Sequence, residues 1–179
     1  MCYTLYMSDF SHLKAKIRDV DNFPIDGVQF KDITPLLEDK DSFREAIEWL
    51  TEQFKGKDID KVVGIDARGF LLASAVAYLL HAGMVIIRKK GKLPWTTILR
   101  EHDLEYGKGA LEVHVDSIKK GERVLVIDDV LATGGTVEAA VKLVEHLGGE
   151  VIGLGFLLEL PIGGREKLKK YKIESLIRY

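Results

Sequence analysis

A chain of 179 residues, 46% hydrophobic and 30% charged, has the apolar content to bury a core, which excludes a disordered or fibrous protein. Its length corresponds to one domain at roughly 100–200 residues each. Twenty-six basic against 28 acidic residues leave a net charge of −2, which argues against a protein that wraps nucleic acid.

The lone Cys2 permits no internal disulfide and no cysteine-rich metal site, and its place in a loose N-terminus argues against a catalytic thiol. No two of the five histidines have the i,i+4 spacing of a helical zinc site. The N-terminus, MCYTLYMSDF, lacks the basic and apolar regions of a targeting segment. The longest apolar run, the eleven residues Phe70–Leu80, falls short of a membrane span of roughly 20 and reads as a buried helix. A soluble cytoplasmic protein with no membrane partner is expected. One Asn and two Gln beside many Lys and Glu suit a heat-adapted source.

In chain order, Phe10, Leu13, Ile17 and Val20 have helical spacing, with Ser8 or Asp9 as cap. Residues 22–35, NFPIDGVQFKDITP, break the period and read as irregular structure. A second helix is expected to start at a Ser42–Glu45 capping box, with Phe43, Ala46, Ile47, Leu50 and Phe54 as its apolar stripe. Lys61–Ile65 is a short apolar strand, Asp66–Gly69 a turn, and 70–80 the apolar helix. Met84–Arg88 is the next strand. Residues 89–109 are charged and glycine-flanked, with a strand at Thr96–Leu99. Leu111, Val113 and Val115 alternate with polar residues as in a half-exposed strand. Arg123–Ile127 is a buried strand, Asp128–Gly135 the loop after it, and the next helix carries Val137, Ala140, Val141 and Val144 on one face before Gly148 and Gly149. Val151–Leu158 is another buried strand, in which Gly153 and Gly155 mark close backbone packing. Gly163–Gly164 reads as a turn.

Apolar strands alternating with helices imply an α/β fold with a mostly parallel sheet covered on both faces. Ligands bind such sheets at the carboxyl ends of the strands. The loops to consider are therefore 66–69, 88–92 and 128–136.

The most informative stretch is Val124–Thr136, VLVIDDVLATGGT. A buried strand delivers Asp128 and Asp129 to its end, and Ala132-Thr133-Gly134-Gly135-Thr136 opens a helix. Glycines permit positive φ, so successive N–H groups can converge on an anion at the helix N-terminus, with Thr133 and Thr136 adding hydroxyl donors. Two carboxylates beside an anion site would repel a phosphate unless they served another part of the ligand. A sugar phosphate resolves that conflict, because carboxylates accept from vicinal hydroxyls. The loop is neither a Walker A loop nor GxGxxG.

This stretch resembles the phosphoribosyl pyrophosphate (PRPP) signature of type I phosphoribosyltransferases. Three further segments resemble motifs of the adenine phosphoribosyltransferase family, in the family's order: Asp66-Ala67-Arg68-Gly69-Phe70, Arg88-Lys89-Lys90-Gly91-Lys92-Leu93-Pro94 and Leu104-Glu105-Tyr106-Gly107-Lys108. Phe23-Pro24 through Gly27-Val28-Gln29-Phe30-Lys31-Asp32 is similar to its base-binding segment. The resemblance runs from about residue 10 to the C-terminus. On its own residues, Arg68 fits a surface ion pair as well as a phosphate contact, Arg88–Lys92 fits a solvated loop, and Glu105-Tyr106 an exposed edge.

The resemblance implies a type I phosphoribosyltransferase fold, in which residues 1–179 form one domain with an N-terminal helix and hood over 1–35 and a flexible catalytic loop over 89–109. It implies transfer of phosphoribose from PRPP to adenine, giving AMP and pyrophosphate in purine salvage. Asp128 and Asp129 would hold the ribose hydroxyls and stabilise developing positive charge. Residues 132–136 would hold the 5′-phosphate. Arg68, Arg88, Lys89, Lys92 and Tyr106 would serve the pyrophosphate, Glu105 would help move the purine proton, and His102 would lie in the loop that closes over the site. Gln29, Phe30 and Lys31 would meet the base, with Phe30 stacking and the backbone reading the adenine edge. Mg²⁺ would arrive mainly on PRPP, so no protein-only metal site is required, and the protein would be a homodimer. The chain departs from the family at Lys31, commonly arginine, and at Trp95. Two other readings stay open: the same chemistry on hypoxanthine, guanine or xanthine, and a non-catalytic PRPP-sensing regulator, against which the charge of −2 and the absence of a helix-turn-helix pattern weigh.

Overall fold

The computed structural model describes residues 10–103 and 108–179. Its contacts divide the chain into one unit ending at Ala46 and a second beginning at Ile47.

In the first unit, the spacing of Phe10, Leu13, Ile17 and Val20 is not realised as one helix. The helix α1 (Ser11–Lys14) is a single turn, and Val20 lies in β1 (Arg18–Asp21), antiparallel to β2 (Gln29–Asp32) with Val20 opposite Phe30. The stretch expected to be irregular thus contains a strand, and then α2 (Thr34–Glu38), whose first turn holds Pro35, where a missing N–H is no loss. The connection closes through Gly27, at φ +85°, whose N–H donates to Asn22 Oδ1 at 2.9 Å. The next helix, α3 (Lys40–Phe54), starts before the expected capping box. Asp39 Oδ1 accepts the Ser42 N–H at 2.9 Å, and that bond, followed by the Ser42 hydroxyl and Lys16, holds the Asp39 carboxyl well below its usual range. Glu45 pairs instead with His12, at 2.8 Å. The buried stripe Ala46, Ile47, Leu50 and Phe54 falls where its spacing predicts.

The second unit contains β3 (Lys61–Ile65), α4 (Gly69–Leu79), β4 (Gly83–Lys89), β5 (Thr97–Asp103), β6 (Lys108–His114), β7 (Arg123–Leu131), α5 (Gly135–His146), β8 (Glu150–Glu159), α6 (Gly164–Lys167) and β9 (Ile173–Arg178). Among the described residues, seven of these strands form one sheet in the order β5-β6-β4-β3-β7-β8-β9. The run from β4 to β9 is parallel, whereas β6 is antiparallel to both β4 and β5. This is the expected α/β fold, a mostly parallel sheet flanked by helices. Its core sets Val63, Ile65, Val124 and Val126 against Val137, Ala140, Val141 and Val144 of α5. A Cβ built on Gly153 would stand 2.5 Å from Phe54 Cε1, so the close packing expected there is present.

Four details differ from expectation. The helix α4 buries only one face, through Leu72, Ala73, Val76 and Ala77, while Leu71, Tyr78 and Leu79 are 51%, 80% and 44% exposed. Apolar residues all round a helix were a sign of burial in sequence, but the sheet can cover only one side of it. The charged stretch contains all of β5, which continues to Asp103 and pairs with β6 as an antiparallel ribbon. The strand β6 is not half exposed, since Glu112 is buried between Leu111 and Val113. The strand β7 runs on through the two aspartates to Leu131, still paired with β8. Among the described residues, no helix is long and apolar enough to cross a membrane.

Candidate active site

Three strand ends of the parallel sheet meet one cleft, of about 690 Å³. The end of β7 brings Asp128 and Asp129, both buried. The turn after β3 brings Asp66 and Arg68, the end of β4 brings Lys89 and Lys90, and the first turn of α5 brings Thr136.

The two aspartates are electrostatically unlike. Burial, and then the neighbouring Asp129 charge, push the Asp128 carboxyl well above its usual range. Burial also raises that of Asp129, but the charge of Arg68 opposes it. Arg68 Nε lies 2.6 Å from Asp129 Oδ2, and no described group donates to that buried oxygen with hydrogen-bond geometry. The contact is an ion pair without hydrogen-bond alignment. Asp128 Oδ1 accepts the Asp129 N–H at 3.0 Å. It also packs on the start of α4, where a Cβ on Gly69 would stand 2.6 Å away. A side chain at Gly69 would therefore displace the acid.

After Leu131 the chain turns through Ala132, Thr133 and Gly134 into α5. Gly134 caps the helix at φ +80°, a left-handed conformation that L side chains adopt only at a cost. The first N–H groups of a helix have no intrahelical acceptor and carry partial positive charge, so they suit an anion. The Gly163–Gly164 segment is more than the expected turn. Gly164 is buried under the loop, and a Cβ there would overlap Ala132 O and lie 2.7 Å from Leu131 Cδ1.

Of the residues singled out in sequence, Arg68, Lys89, Asp128, Asp129 and Thr136 face one cleft, as does His102. Ala132, Thr133, Gly134 and Gly135 form the turn that leads into it. Arg88 and Lys92 do not line it. The Arg88 guanidinium donates to Asp66 Oδ2 at 3.1 Å and to the Lys92 carbonyl at 3.0 Å, and the Lys92 side chain is exposed. Gln29, Phe30 and Lys31 lie on β2 in the first unit. There Phe30 packs edge-on against Phe23 with ring centroids 5.1 Å apart, Lys31 pairs with Asp19 and donates to Gln29 Oε1 at 3.1 Å, and Gln29 donates to Asp21 at 3.4 Å. Glu105 and Tyr106 lie outside the described residues. Sequence reasoning passed over Asp66 and Lys90, which line the cleft, and Gly164, which packs under its loop. The signal for Lys90 was present in the basic run, where it follows Lys89 and lines the same cleft. Among the described residues, no group of three or more His, Cys, Asp or Glu could hold a metal ion.

A parallel sheet that ends in an acid pair beside a glycine-rich helix start suits a sugar phosphate, the layout that the resemblance to type I phosphoribosyltransferases implies. The model of the phosphoribosyl transferase domain matches residues 31–177. An adenine phosphoribosyltransferase of Caldicellulosiruptor bescii is 51% identical over 169 residues, 94% of this chain and 97% of that protein. The crystal structure of adenine phosphoribosyltransferase from Thermoanaerobacter pseudethanolicus superposes with a TM-score of 0.92 at 46% identity, covering 95% of this chain and 99% of that one. That of the Saccharomyces cerevisiae enzyme, complexed with an imino-altritol bisphosphate and adenine, gives 0.86 at 34% identity, covering 93% and 97%. The chain belongs to the phosphoribosyl transferase family, and within it to the adenine phosphoribosyltransferases.

Proposed function

We propose that the protein transfers the phosphoribosyl group of PRPP to adenine, giving AMP and pyrophosphate, as a purine salvage enzyme. The observation that carries this reading is the set of groups that share one cleft: the cations of Arg68, Lys89 and Lys90, the buried Asp128–Asp129 pair, and Thr136 in the first turn of α5. PRPP presents a matching set: a diphosphate, two vicinal hydroxyls and a 5′-phosphate.

In the reaction, the C1–O bond to the diphosphate breaks and its electron pair leaves on pyrophosphate. The N9 lone pair of adenine forms the new bond to C1, and the purine proton departs. Asp128 and Asp129 accept from the ribose hydroxyls and stabilise the positive charge that builds at C1. Arg68, Lys89 and Lys90 stabilise the departing pyrophosphate, while residues 132–136 hold the 5′-phosphate. Two carboxylates beside a diphosphate subsite match the way Mg²⁺ is held, by one or two carboxylates and substrate phosphates. Carried by PRPP, the ion would neutralise charge on the leaving group. Proton movement by Glu105, pyrophosphate contact by Tyr106 and base contact by Gln29, Phe30 and Lys31 rest on the resemblance of their segments.

Incubation with PRPP, Mg²⁺ and each of adenine, hypoxanthine, guanine and xanthine is expected to give nucleotide from adenine alone. Chelation by EDTA should stop turnover, and added Mg²⁺ should restore it. An oxopurine nucleotide as main product would overturn the base assignment.

The enzyme is further proposed to be a cytoplasmic homodimer. The exposed Leu71, Tyr78 and Leu79 on α4 give a second copy an apolar surface to cover. Sedimentation equilibrium should show twice the chain mass of 20.1 kDa, and a monomer at micromolar concentration would contradict the dimer.

A further inference from the structure

Glu112 is 5% exposed, the least accessible acid among the described residues, yet it does not line the cleft. Its Oε1 accepts the N–H groups of Lys92 and Leu93, each at 2.8 Å, and Thr97 Oγ1 donates to Oε2 at 3.4 Å. Burial raises its pKa, but the backbone donors of Leu93, Gly91 and Lys92 outweigh it, and the carboxyl lies below its usual range. A buried carboxylate is costly unless it is hydrogen-bonded. Here it is spent on the backbone of one turn.

That turn is also held from its other face. Arg88 donates to the Lys92 carbonyl and reaches Asp66, in the turn that carries Arg68. Lys90 N–H donates to Ala110 O at 3.0 Å, and Asp66 N–H to Ile87 O at 2.9 Å. Lys92 thus has its N–H fixed by Glu112 and its C=O by Arg88.

We infer that Glu112 and Arg88 are positioning residues, which lock the 89–93 turn to the 66–69 turn so that Lys89, Lys90 and Arg68 meet a diphosphate as one rigid set. The inference rests on the proposed transfer reaction and names what prepares its pyrophosphate end.

The reverse reaction, from AMP and pyrophosphate, separates the two ends of the site. In Glu112→Ala the KM for pyrophosphate should rise roughly 10- to 100-fold, the scale of a turn misplaced by about 1 Å. The KM for AMP should stay within about twofold, since AMP does not use that turn. Glu112→Gln keeps an oxygen that accepts both N–H groups and should recover most of the wild-type value. Arg88→Met should give the same split. The double variant Glu112→Ala/Arg88→Met should be less than additive, because both groups act on Lys92. If Glu112→Ala fails to fold, Glu112→Asp, whose shorter side chain draws back from the Lys92 and Leu93 N–H groups, carries the test. An unchanged KM for pyrophosphate, or equal losses for AMP and pyrophosphate, would overturn the inference. A wild-type protein that turns over neither substrate would instead overturn the proposed function.

Discussion

Replacement of Asp128 by Asn should nearly abolish phosphoribosyl transfer and, at neutral pH, make the protein more stable. The carboxyl is buried beside a like charge, so the folded state binds its proton more tightly than the unfolded state does. Stability from this group is therefore present at low pH and is lost as pH rises from the unfolded value of 3.8 through the raised native value. Asn cannot ionise and escapes that loss, while its Oδ1 still accepts the Asp129 N–H. The melting temperature should exceed that of the wild type at pH 7, and the two should converge towards pH 4, where the wild-type group is protonated. Activity should fall on the order of 10²–10³-fold, the scale for removing one charge-stabilising group from a site. Asp129→Asn should behave differently. It removes a charge that Arg68 meets at 2.6 Å, which opposes the effect of burial on Asp129, so its gain in stability should be smaller or reversed. A melting temperature for Asp128→Asn below that of the wild type at pH 7 would contradict the electrostatic account of the pair.

Gly164→Ala should weaken recognition of the 5′-phosphate without touching any ligand. The added methyl overlaps Ala132 O and crowds Leu131, so the loop backbone must shift. The segment beneath has little freedom to yield. Leu160 N–H donates to Leu131 O at 2.9 Å, and Arg165 holds Glu159 through two contacts of 2.6 Å. Affinity for AMP, measured by calorimetry, should fall about 100-fold for a loop displaced by ~1 Å. Affinity for adenosine, which lacks the phosphate, should hardly change. Gly163→Ala is the control. Gly163 sits at φ +93° with nothing within 4 Å of a built Cβ. That variant should lose about 1–2 kcal/mol of stability through its backbone conformation and keep its AMP affinity. Equal weakening of AMP and adenosine in Gly164→Ala would indicate general destabilisation and contradict a bracket under the loop.

What could be read in the sequence was local. The runs Lys61–Ile65, Arg123–Ile127 and Val151–Leu158 are continuous and apolar because both faces of a parallel strand are covered, and each lies in its strand. The acid pair and A-T-G-G-T loop could be read because strand, carboxylates, glycines and helix start follow one another within thirteen residues of chain. Pairing between distant segments could not. Val20 belongs to a hairpin because Phe30 lies opposite it, and apolar spacing over so few residues suits a helix equally well. Glu112 occupies a polar position in an alternating strand and should face water by its pattern. It is buried because the 89–93 turn folds over it and supplies its donors. Gly164 looked like a turn because the Ala132 carbonyl that requires its missing side chain lies 32 residues earlier in the chain.

The most direct test of the whole account is AMP formation from adenine and PRPP by the purified protein, run beside an Asp128→Asn/Asp129→Asn double variant of equal purity. The wild type should form AMP, and the double variant none above background. Equal turnover by both would place the chemistry elsewhere or in a contaminating enzyme. Binding of PRPP without turnover by the wild type would contradict the enzyme itself.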